Sequence, residues 1–69
     1  MGFVSMSIQQ MLHALAAMGY SQRQIAEACG TSQPNINRAI KGTSVRYELG
    51  KEIERLHKKA AREASRKAA

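Results

Sequence analysis

Tryptophan is absent from this 69-residue chain, and cysteine, proline and phenylalanine each occur once. With Cys29 alone, no intrachain disulfide can form and nothing points to an oxidising compartment. No stretch approaches the ~20 apolar residues that span a bilayer, and Met1 to Met6 lacks the charged and long apolar regions of a signal peptide. The expectation is a cytoplasmic protein. Catalytic signatures are missing too: there is no nucleophile–base pair, carboxylate pair or phosphate-binding glycine loop, so no enzyme is expected. His13 and His57 fall on different helical segments and form no zinc spacing with Cys29, so neither a metal nor a cofactor is expected.

Acidic residues are scarce, five against eleven lysines and arginines, for a net charge of +6. The imbalance is local. Residues 1–35 carry only Arg23 and Glu27, whereas residues 36–69 carry ten basic and four acidic groups. A positive field confined to one half favours a polyanion, either nucleic acid or an anionic membrane surface. Apolar residues make up 43% of the chain, enough for a small core and too many for wholesale disorder. The length allows one domain, 1–69, with a flexible N-terminus (1–6) and a basic tail (about 61–69).

Periodicity and punctuation predict an all-α bundle of four helices, at about 8–18, 22–29, 33–41 and 45–64. Ile8, Met11, Leu12 and Leu15 share one face of the first, with Ser7 and Gln10 as a capping box and Gly19 as its stop. Ser21 and Gln24 repeat the box before a second helix with Ile25, Ala26 and Cys29 inward, closed by Gly30. Ser32 is expected to cap the third, which has Pro34 in its first turn, buries Ile36, Ala39 and Ile40, and stops at Gly42. In the fourth, Val45, Leu49, Ile53, Leu56 and Ala60 form a seam, interrupted by Gly50 where a neighbouring helix is expected to cross closely. Beyond Ala60 the apolar residues are all alanine, and the tail is expected to fray or to dock on a partner.

The second and third helices meet the demands of a helix-turn-helix: small Ala26 at the crossing, Gly30 at the sharp turn, and Ile25, Cys29, Ile36 and Ala39 to lock the pair. With Ile36 and Ala39 inward, Pro34, Asn37, Arg38 and Lys41 point outward, flanked by Gln33 and Asn35. Amides suit adenine edges, arginine suits guanine and proline offers apolar contact to a thymine methyl, so these six are the candidate base contacts. Helix amino termini and short hydroxyls suit phosphate oxygens, which makes Gln22, Thr31, Ser32, Thr43, Ser44 and Arg46 the candidate phosphate contacts.

The run QRQIAEACGTSQPNINRAIKG, Gln22 to Gly42, resembles the helix-turn-helix of Cro and phage repressors, the XRE-like regulators of bacteria and phages. The following SVRYELGKEIERL is similar more weakly. The resemblance implies a sequence-specific regulator of double-stranded DNA, a Cro-like repressor binding a palindromic operator as a homodimer in a bacterial or phage-infected cell. It also implies a phosphate contact for Gln22 and a base contact for Gln33. Where the family often has a polar residue, this chain has Pro34. An antitoxin or a recombination accessory protein could use the same motif. Lys51, Arg55, Lys58 and Arg62 form a further stripe, read either as a solvated face with pairs such as Glu54–Lys58 and Glu63–Lys67 or as a phosphate contact. A membrane role has little support, because few aromatic groups could insert.

Overall fold

The computed structural model describes residues 7–68, with side chains through Ser65. The expected flexibility of residues 1–6 lies outside them. Four helices follow in order: α1 Ile8–Ala17, α2 Gln22–Cys29, α3 Gln33–Ile40 and α4 Tyr47–Ala68. Among the described residues there is no strand. Each of α1 and α2 packs against both α3 and α4, and one core forms from Leu12, Leu15, Ile25, Ala26, Cys29, Ile36, Ala39, Ile53 and Ala60.

Local chemistry explains the first two helix starts. The Ser7 N–H donates to Gln10 Oε1 at 2.9 Å while the Gln10 N–H donates to Ser7 Oγ at 3.1 Å, so two backbone N–H groups with no intrahelical partner are each satisfied by the other residue's side chain. Ser21 and Gln24 do the same at 2.8 and 3.0 Å. Helix α3 differs from expectation. Ser32 occupies the cap position, but its side chain makes no capping bond, and the Thr31 hydroxyl next to it instead accepts from Asn35 Nδ2 at 2.9 Å.

The fourth helix also departs from its predicted bounds, starting at Tyr47 and running to Ala68. Its first bond runs from the Gly50 N–H to the Arg46 carbonyl at 2.9 Å, which leaves Val45 outside the helix. Val45 nevertheless packs against the core. A Cβ placed on buried Gly50 would lie 3.6 Å from Val45 Cγ2 and 3.7 Å from Ile8 Cδ1, so α1 does approach there, at van der Waals distance. This resembles a hydrophobic staple, in which the residue before the cap leans over the fourth helical position. At the other end, alanine, arginine, lysine and glutamate are strong helix formers, and extending an existing helix avoids the cost of a new nucleus. Residues 61–65 are exposed. The ion pairs among the described residues are Arg23–Glu27 at 3.5 Å and Arg55–Glu52 at 3.6 Å. The expected Glu54–Lys58 is not one of them, and Lys67 of the expected Glu63–Lys67 lies outside the described side chains.

Candidate nucleic-acid interface

The turn between α2 and α3 depends on Gly30, whose φ of 70° places it in the left-handed region. That conformation lets the Thr31 N–H donate to the Ala26 carbonyl at 2.9 Å and the Gly30 N–H to the Glu27 carbonyl at 3.3 Å. This Schellman pairing satisfies the end of α2 and turns the chain within three residues into α3. The far end of α3 closes in the same way: the Thr43 N–H donates to the Arg38 carbonyl at 3.0 Å, and the Gly42 N–H to the Ala39 carbonyl at 3.1 Å.

With Ile36 and Ala39 buried beneath it, α3 exposes Gln33, Pro34, Asn35, Arg38 and the adjoining Lys41, as its helical phase requires. Asn37 is half-buried instead, and its Nδ2 donates to Gln22 Oε1 at 3.3 Å. The start of α2 and the middle of α3 are thereby tied together. Gln22, Gln33, Pro34, Asn37 and Arg38 line one shallow hollow. On the other side of α3, Thr31, Asn35, Arg38, Thr43, Ser44 and Arg46 line a deeper cleft, whose α4 wall carries Glu48 and Glu52. Arg38 belongs to both. Ser32 and Lys41 are exposed and line neither.

The charge balance of the motif is simple. Arg23 and Glu27, both exposed, pair across one turn of α2 at 3.5 Å, and Arg38, Lys41 and Arg46 are the exposed cations along α3 and the loop that follows it. Cys29 lies at the floor of the cleft. Burial, and to a lesser degree the charge of Glu52, push its thiol above the ordinary range. It therefore stays protonated near neutrality and fills space, since the thiolate is the reactive form.

One positioning residue carried no local signal. Gln9 of α1 reaches over the carboxyl end of α3, where its Nε2 donates to the Ile40 carbonyl at 2.9 Å. Thirty-one positions separate the partners, and no spacing rule connects them. The Asn35–Thr31 bond has the i, i+4 spacing that a reading of the helix start could have found.

A family model described as helix-turn-helix matches residues 13–63, which include all of α2 and α3 and most of the chain. The chain belongs to the XRE-type helix-turn-helix family. It is a DNA-binding regulator of that type. Neither a curated protein nor a solved structure matches it in the same comparisons. Ile8 and Gln9, through which α1 meets α4 and α3, precede the matched span.

Proposed function

We propose that this XRE-type regulator is a small Cro-like repressor of phage or prophage type, which reads a palindromic operator as a dimer through α3. The observation that carries the reading is the exposed row Gln33, Pro34, Arg38 and Lys41 on a helix whose opposite face buries Ile36 and Ala39 and half-buries Ile40. Arg38 presents its guanidinium from the rim between two hollows, where it can approach a guanine edge with two donors. Gln33 and Asn35 flank it and suit adenine edges, and Pro34 offers apolar contact to a thymine methyl. Lys41 completes the row near the end of the helix. Asn37 has a second task in this scheme: its bond to Gln22 Oε1 leaves the Gln22 Nε2 free to donate to a phosphate. Thr31, Ser32, Thr43, Ser44 and Arg46 bracket the helix as further phosphate contacts. The Ser32 hydroxyl, which makes no capping bond, remains available for that purpose.

Two copies would place their α3 helices in major-groove half-sites about 34 Å apart, one turn of the duplex. Random-oligonucleotide selection with the full chain is expected to recover a palindrome, which reports specificity and symmetry together. Arg38→Ala is then expected to cost about 1 to 3 kcal/mol on the selected site and to relax preference at one base pair. Equal losses on selected and scrambled duplexes would refute base reading by Arg38, and a selected site without two-fold symmetry would refute the dimeric operator.

A further inference from the structure

Lys51, Arg55, Lys58 and Arg62 of α4 take no part in the scheme above. All four are exposed. At about 100° per residue they fall within an arc of roughly 60°, facing directly away from the buried Ile53 and Ala60. All four acidic residues of α4, Glu48, Glu52, Glu54 and Glu63, lie on the flanks between that arc and the core, where exposed Lys59 also falls. Glu48 and Glu52 also line the cleft beside α3. On the side of the recognition face, Glu48 and Glu52 therefore stand between it and the start of the stripe, and they would repel a phosphate backbone running continuously from one to the other.

We propose that the α4 stripe is a second phosphate-binding face, which holds a DNA duplex other than the one read by α3. The proposal rests on the DNA-binding reading of α3 and adds a second duplex to it. At a rise of 1.5 Å per residue the four cations extend over about 16 Å, longer than the ~12 Å width of a major groove, so the row can reach phosphates on both walls. Its charges are largely available. Among the described residues Arg55 pairs with half-buried Glu52 at 3.6 Å and is itself exposed, and Lys51 Nζ stands 5.6 Å from the centre of the Tyr47 ring, a contact that orients the lysine without neutralising it. No base-reading amide interrupts the row, so recognition here would follow charge and be independent of sequence.

The test is capture in trans. The full chain is loaded on a bead-tethered 30-base-pair duplex of random sequence, then offered a free, labelled duplex of the same length. The native protein is expected to retain the free duplex at low salt and to release it steeply as salt rises. The combined variant Lys51→Gln, Arg55→Gln, Lys58→Gln, Arg62→Gln changes exposed positions only and is checked for native helicity by circular dichroism. It is expected to load on the tethered duplex, to capture at least tenfold less of the free one, and to show a salt slope for capture lower by about 3. Undiminished capture by the variant overturns the proposal, as does native protein that loads without capturing. Failure of the native protein to load on any duplex overturns the DNA reading of α3 as well. Binding to phosphatidylserine vesicles that is lost in the variant, with duplex capture unchanged, would assign the stripe to a membrane surface instead.

Discussion

Replacing Gly50 with alanine is expected to stabilise the protein, although the residue is buried and touches two elements. Glycine inside a helix costs about 1 kcal/mol relative to alanine, because it loses more backbone freedom on folding. Whether that energy can be recovered depends on room for one methyl group. The nearest atoms to such a methyl would be Val45 Cγ2 at 3.6 Å and Ile8 Cδ1 at 3.7 Å, both ordinary contact distances. The methyl would also be removed from water, which is favourable by up to about 0.8 kcal/mol. A net gain of about 1 to 1.5 kcal/mol follows, or a midpoint rise of several degrees, since about 1 kcal/mol moves a domain of this size by 4 to 8 °C. Gly30→Ala supplies the opposite sign. Nothing lies within 4 Å of the added Cβ there, yet φ is +70°, so the cost is conformational, about 1 to 2 kcal/mol. Urea and thermal unfolding of both variants measure the pair. A destabilised Gly50→Ala protein would mean instead that α1 and α4 require closer contact than a methyl allows.

The serine caps divide into two kinds: Ser21→Ala is expected to cost about 1 kcal/mol of stability, whereas Ser32→Ala should leave unfolding nearly unchanged and weaken duplex binding. Gln9→Ala removes the bond to the Ile40 carbonyl and is expected to cost about 0.5 to 1.5 kcal/mol. Because Gln9 holds the end of α3, chemical-shift changes should concentrate around residues 38–42; their absence would show that the end of α3 needs no tether. The raised Cys29 pKa predicts a pH effect. Above the ordinary thiol value of about 8.5 the unfolded thiol ionises before the folded one, so the unfolded state binds fewer protons and stability falls with rising pH. A Cys29→Ala protein should lack that component of the alkaline decline, and identical pH profiles for the two proteins would exclude it.

How much of this was legible in the chain depends on the range of each interaction. The two working capping boxes, the glycine stops at Gly30 and Gly42, and the inward faces of α2 and α3 follow from spacings of three and four residues. Such features form wherever the local backbone is helical, so the residues that make them also announce them. Ser32 shows the limit of that logic. A serine in the right place became the backbone cap without using its hydroxyl: the Asn35 N–H that could donate to it goes to the Ser32 carbonyl at 3.1 Å, while the Asn35 side chain donates to Thr31. The start of α4 was missed for a related reason: Val45 has the phase of the helical seam, but it packs from outside the helix, over Gly50.

Hydrophobic phase and turn chemistry are local and nearly independent of the rest of the chain, so the residues alone specify the four helices, the helix-turn-helix and all of the outward row on α3 except Asn37. Tertiary structure decided which of those outward residues are free. It tied Asn37 to Gln22, set Arg38 on the rim of two hollows, drew Gln9 across to the end of α3, and put Glu48 and Glu52 between the recognition face and the basic stripe of α4. These arrangements join residues far apart in the chain. They exist only once the helices have packed around one core, and no spacing along the chain encodes them.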